Sequence, residues 1–233
     1  MIPLRDSETS RRLTPVNTTL IILNFAIYGL ELRLGQSVTP LLSSYAMVPA
    51  HIANLGADGG MTAVAHLTTL ITSLFLHAGI LHVAGNMLYL FIFGPAVEEG
   101  LGHARFLWFY LASGIVAGLA LVAMGPDSLV AVIGASGAIA GVLGAYFILH
   151  PRGRILTVLV IWSFEVPAAA YLLLWFAVQL FSGIRAGAQG PLMGGVAWWA
   201  HVGGFLFGVA TGPLLAHAQT RRPPARSTRR KRA

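Results

Sequence analysis

Six uncharged apolar runs divide the chain: Val16 to Leu30, Leu81 to Val97, Phe106 to Met124, Ser136 to Leu149, Val166 to Phe181 and Val196 to Ala216. A helix needs about 20 apolar residues to cross the hydrocarbon of a bilayer, and about 17 at the short end. Backbone polar groups in lipid must be paired within the segment, so such runs predict helices. The fourth run is short and rich in glycine, and the fifth is marginal. A helix of that length needs neighbours around it. Charged residues make up only 10 % of the 233-residue chain, against about 25 % in soluble domains. That excludes a free soluble globule, and the low polarity excludes a disordered chain. The expected architecture is therefore an all-α membrane protein with six transmembrane helices and a short central fourth helix.

The charges orient this bundle. Six spans put both termini on one side. With that side taken as the cytoplasm, thirteen of the fifteen basic residues lie inside, including Arg5, Arg105, Arg152 and Arg154, and only Arg33 and Arg185 lie outside. This is a strong positive-inside signal. Seven of the thirteen crowd the last thirteen positions, from Arg221 to Arg232. Directly after an apolar run, such a tail reads as a cytoplasmic anchor and not as a nucleic-acid arm. The charged start of the chain leaves the first apolar run as a retained anchor. The expected organisation is a cytoplasmic segment over 1–15, a membrane domain over 16–216 and a basic tail over 217–233. The long stretch from Leu32 to Leu70, broken by Pro40 and Pro49, reads as a partly inserted interfacial structure.

Polar groups inside a bilayer are costly and mark function. Three sets occur, each near the start of a span that runs from outside to inside. Span two opens with His82 and Asn86, span four with Gly134-Ala135-Ser136-Gly137, and span six carries His201. Orientation alone sets all of them at one depth, near the outer face. Span six also carries Ala200, Gly204, Gly208 and Gly212, and span four carries Gly137, Gly141 and Ala145, each at four-residue spacing. Small residues so spaced let helices approach closely in lipid. If the two ridges face each other, Ser136 and His201 meet. Packing alone would account for the glycines but not for a serine and a histidine beside them at equal depth.

A serine hydroxyl is a weak nucleophile that needs an adjacent base, and imidazole suits the task. No span contains an aspartate, so a dyad is the available form. Acyl transfer also needs donors for an oxyanion. His82 and Asn86 share a helical face, and the Ser136 amide at a helix start is a third candidate. The other histidines, His51, His66, His103, His150 and His217, fall in loops or at helix ends and read as solvated. Glu98 and Glu99 read as interfacial anchors, Glu165 as a residue snorkelling from span five, and Ala117 as facing lipid. The chain has no cysteine. His77 and His82 are five residues apart, off a common face. No metal and no cofactor are expected.

At these residues the chain resembles the rhomboid family of intramembrane serine proteases. The resemblance rests on Gly134-Ala135-Ser136-Gly137, on His82-Val-Ala-Gly-Asn86 and on Ala200-His201-Val-Gly-Gly204 with Gly208, in this order on spans two, four and six. It covers about Asn17 to Ala216. It implies a six-helix fold whose fourth helix starts at the bottom of a cavity open to the outside. It implies Ser136 as nucleophile, His201 as general base, and His82, Asn86 and the Ser136 amide as the oxyanion hole. Glu98 matches the family's acidic residue at the inner end of the second helix. Implied substrates are single-pass transmembrane proteins, cut near their outer end. Partners would be these substrates and the bilayer, with no nucleic acid. The implied location is a bacterial inner membrane, with both termini cytoplasmic. Two departures stand out. Many members place an aromatic four residues after the serine, where this chain has Ala140. Some carry a Trp-Arg pair in the first outer loop, absent between Leu32 and Leu70.

The competing reading is a catalytically inactive relative that binds membrane helices. Such proteins lose the dyad, whereas both residues are present here. Ion paths use rings of charge that no span carries, and the H-E-x-x-H of a zinc protease is absent.

Overall fold

A computed structural model describes residues 2–8, 13–55, 63–159, 161–187 and 196–219; of the expected basic tail, 220–233 lie outside them. Helix α1 (Pro15–Leu34) opens with a proline, whose missing N–H costs nothing in a first turn. A 3₁₀ turn, two short helices, α2 (Thr39–Tyr45) and α3 (Pro49–Ala53), and α4 (Ala63–Thr72) follow. Then come α5 (Ile80–Leu101), α6 (His103–Met124), α7 (Ser136–Leu149), α8 (Ala168–Gly187) and α9 (Trp198–Gln219). Among the described residues four helices are long and apolar enough to cross a membrane: Pro15–Leu34, Ile80–Leu101, His103–Met124 and Ala168–Ala186. They turn bulky apolar side chains outward, such as Ile22 and Phe25 on α1, Trp108 on α6, and Leu174 and Phe181 on α8. Faces of this kind belong against lipid chains, and the molecule is an integral membrane protein.

Helix α7 is the axis of the bundle. Its residues from Gly137 to Tyr146 are all buried, and α5, α6, α8 and α9 pack around it. Fourteen residues rise about 21 Å, short of the roughly 30 Å of hydrocarbon. Its neighbours supply the shelter that its length requires. The two small-residue ridges do face each other. A Cβ at Gly204 would overlap the Gly137 carbonyl oxygen, and one at Gly208 the Gly141 carbonyl oxygen, while Gly212 lies against Ile148. Contacts advance together along both helices, so α7 and α9 run parallel with their backbones touching. Ser113 of α6 presses on α7 at Gly141 in the same manner, its hydroxyl donating to the Phe109 carbonyl at 2.7 Å.

The expectation of an all-helical chain is corrected by a three-stranded antiparallel sheet. Strand β1 (Ile2–Asp6) pairs with β2 (Arg154–Leu159), which pairs with β3 (Trp162–Pro167). These segments are rich in β-branched and aromatic residues, which favour a pleated, half-buried surface. Ile155 and Thr157 point inward and are wholly buried. Glu165 does not snorkel from a helix: it lies on β3 and accepts from Arg154 Nε at 2.8 Å, both side chains half exposed. Asp6 is buried at the sheet's inner edge. Burial pushes its carboxyl above the usual range, opposed by the Tyr146 hydroxyl and by His150.

Glu98 is also corrected from an anchor at the interface to a wholly buried group. Its carboxylate accepts from the backbone amides of Val16 at 3.1 Å and Asn17 at 2.7 Å, and from His103 Nδ1 at 2.6 Å. The first amides of a helix have no partner within it, so Glu98 completes the start of α1 and favours its positive dipole end. Glu98→Ala would strand two amide donors, the one at Asn17 buried and the one at Val16 partly so. We expect it to cost about 3 kcal/mol, read as a lowered thermal unfolding midpoint in detergent. An unchanged midpoint would show that solvent replaces the carboxylate without loss.

The stretch between α1 and α4 folds back on the bundle. Met47, Ile52 and Leu70 pack on Ala117, Leu121 and Ala200. Ala117 is therefore buried, not facing lipid, and lies against Gly137. His66, read as solvated, is buried beside His51 with ring centroids 4.9 Å apart. Met47 and Val132 form a bridge through both backbone pairs, at 3.1 and 2.7 Å. This holds the segment that delivers α7.

Candidate active site

Three helices, α5, α7 and α9, begin at the same end of the bundle, away from the sheet. Their first two turns carry the motif residues. A cavity of about 700 Å³ opens there, and Ser136, His201, His82 and Asn86 all line it.

Ser136 is the first residue of α7. It is presented by Gly134, whose φ of 122° lies in the region that favours glycine. The Gly134 amide donates to the Ser73 carbonyl at 2.8 Å. A Cβ at Gly134 would lie 2.8 Å from the His82 ring and 3.6 Å from Asn86 Nδ2. The glycine thus permits both the turn and the approach of these two side chains.

The Ser136 hydroxyl lies 2.8 Å from His201 Nε2. His201 Nδ1 lies 2.8 Å from Gln179 Oε1 on α8. Gln179 donates its own amide to the Trp175 carbonyl at 3.3 Å, which sets the amide so that its oxygen faces the histidine. An amide oxygen only accepts, so Nδ1 carries the proton. Nε2 is then a bare acceptor, and the Ser136 O–H donates to it. Serine, imidazole and amide form one line of contacts. The Trp175 ring lies 5.9 Å from the imidazole at 35° and the Trp198 ring 6.3 Å away, nearly perpendicular. Trp198 thus borders the candidate site.

The donor side is built similarly. The Ala78 amide donates to His82 Nδ1 at 3.4 Å, which leaves the proton on Nε2, the edge beside Gly134. Asn86 Nδ2 donates to His77 Nε2 at 3.0 Å, and the His77 amide donates to the buried Glu31 carboxylate at 3.2 Å. The ring centroids of His77 and His82 are 5.1 Å apart. The Ser136 amide, at the helix start, has no carbonyl one turn earlier within α7 to bond.

All four residues singled out from the sequence therefore share one cavity. Sequence reasoning missed Gln179, His77 and Glu31. Gln179 was visible by the rule that exposed the others, as an amide inside an uncharged apolar run. No group of three or more metal-ligating side chains occurs among the described residues.

Comparison with known proteins gives a consistent picture. The Rhomboid domain family model matches residues 64–218. The chain is 45 % identical over 80 residues to YdcA of Bacillus subtilis, whose name assigns it provisionally as a rhomboid protease, covering 34 % of this chain and 40 % of that protein. It is 31 % identical over 159 residues to the mitochondrial Rhomboid protein 1 of Saccharomyces cerevisiae, covering 64 % of this chain and 42 % of the relative. It is 47 % identical over 76 residues to the rhomboid protease GluP of Bacillus subtilis, covering 33 % of this chain and 14 % of the relative. The matches thus span at most about two fifths of these relatives.

Proposed function

We propose, from the premise that this chain belongs to the rhomboid family, that it is an intramembrane serine endopeptidase working through Ser136 and His201. The observation that carries the reading is the unbroken line from the Ser136 hydroxyl through His201 to Gln179, with both contacts at 2.8 Å. In this reading α7 and α9 join the four long helices as fifth and sixth spans. The site end faces outward, and the basic, sheet-bearing end faces the cytoplasm of a bacterial cell. Substrates are single-pass transmembrane helices that unwind into the cavity from the surrounding lipid.

The chemistry follows from the proton positions. Ser136 Oγ attacks the scissile carbonyl carbon as its proton passes to His201 Nε2. The carbonyl oxygen becomes an oxyanion beside His82 Nε2–H, the Asn86 amide and the Ser136 N–H. The C–N bond then breaks, and His201 gives its proton to the leaving amine. A water then attacks the acyl-serine carbonyl as its proton passes to His201; the ester C–O bond breaks, the new carboxyl end is released, and His201 returns the proton to Ser136 Oγ.

Cleavage of a reporter transmembrane helix in vesicles holding the purified protein tests this function. Intact reporter after prolonged incubation with several helices of differing sequence would sink it. Within the same assay Asn86→Ala should lower kcat about 100-fold, the typical loss of about 3 kcal/mol for one oxyanion donor. KM should barely change, because the interaction belongs to the transition state. A variant with normal kcat would reduce Asn86 to a structural partner of His77.

A further inference from the structure

We propose that Gln179 is the positioning residue of the dyad: its side-chain oxygen fixes His201 in the Nδ1–H tautomer and aims Nε2 at Ser136. The inference rests on the proposed roles of Ser136 and His201 and extends them to a third helix. Position 140, where many rhomboid proteins carry an aromatic, holds a wholly buried alanine. Its methyl would lie 3.3 Å from a Cβ at Gly204. The touching backbones of α7 and α9 leave no room for a ring there. The imidazole is instead held at its far edge by an amide on α8.

Several observations converge on this role. Gln179 is buried, at 6 % exposure, inside an apolar helix. A polar side chain in that setting is costly unless it is paired. Both of its functional atoms are paired: Nε2 with Trp175 one turn back at 3.3 Å and Oε1 with His201 at 2.8 Å. The backbone bond leaves the amide one orientation, and that orientation leaves the histidine one tautomer. Ring orientation and tautomer are what the third member of a serine-protease triad supplies. Here a neutral oxygen does both: the partner of His201 Nδ1 is the Gln179 amide oxygen and not a carboxylate.

The expected effect lies on turnover. Gln179→Met matches the glutamine in length but offers no comparable acceptor. It should lower kcat on the order of 10- to 100-fold with KM within about twofold, and slow fluorophosphonate labelling of Ser136 to the same degree. Gln179→Glu keeps an oxygen in place and should restore most of the rate. A purely structural amide would give the opposite ranking, because methionine suits an apolar surrounding better than a carboxyl group does. Wild-type kcat in Gln179→Met, or equal impairment of the two variants, would overturn the proposal.

A measurement on unaltered protein guards against variants that fail to fold. Histidine-selective ¹⁵N spectra in micelles, with His201 assigned by its loss in His201→Gln, report the tautomer directly. The expected result is a protonated Nδ1 and a bare Nε2 at neutral pH; the reverse overturns the proposal. This readout needs no turnover. A protonated Nδ1 in a protein that Ser136→Ala leaves active would remove the nucleophile assignment and keep the Gln179 contact. A bare Nδ1 in a protein that Ser136→Ala inactivates would do the converse.

Discussion

Ser136→Ala should abolish both cleavage and fluorophosphonate labelling, a loss on the order of 10⁶-fold in kcat, as when a serine protease loses its nucleophile. The change removes one oxygen from the lining of a cavity. The hydroxyl contacts His201 at 2.8 Å, and the buried face of α7 begins one residue later. The fold should therefore survive, with a thermal midpoint near that of the parent. This separation makes the test sharp, since an inactive but folded variant points to chemistry and not to collapse. Full cleavage by a folded Ser136→Ala protein would end the assignment of this serine, whatever the family membership.

The second large effect is expected at a position with no chemistry of its own. Gly204 lies three residues after His201, and a Cβ there would overlap the Gly137 carbonyl oxygen. The obstacle is backbone, so no rotamer change relieves it. Gly204→Leu must push α9 from α7 and draw Nε2 away from the serine. A displacement of about 1 Å costs on the order of 100-fold in rate, and we expect at least that loss with both dyad residues intact. Ala117 cannot serve as the lipid-facing control, because it packs on Gly137. Ala123, exposed on the same helix α6, can. Ala123→Leu should retain near-parental activity in the same vesicle assay. A stable, active Gly204→Leu protein would show that the ridge does not set the Ser136–His201 distance.

Ser136, His201, His82 and Asn86 could be grouped from the sequence as one candidate site because two independent patterns coincide there. The polar residues in apolar runs gave their depth, and the glycine spacing gave the helix pair, so the meeting of Ser136 and His201 needed no long-range guess. Other features were less legible for physical reasons. The β2–β3 hairpin is apolar like the spans, and its period-two pattern is brief beside them. Glu98 looked like a residue at a water boundary because nothing local shows that the start of α1, eighty residues earlier, docks upon it. Gln179 has no neighbour in sequence that reveals its partner on α9. His66 and Ala117 were misplaced by a shared cause: the 32–70 stretch packs on α6, and no periodicity within that stretch says so.

The pairing of β1 with β2 has a consequence for the order of events during synthesis. Residues 2–6 find their partners at 155–158, so the first strand made must wait while some 150 residues are translated. At about 5–20 residues per second that delay is on the order of 10–30 s. Through it, α1 and α5 can dock, since Glu98 emerges much earlier than β2. The strand's unpaired edge stays open to other chains for the whole interval. Arg5 near its end, set against the exposed Ile2 and Leu4, is a charge of the kind that keeps a waiting edge from pairing with the wrong neighbour.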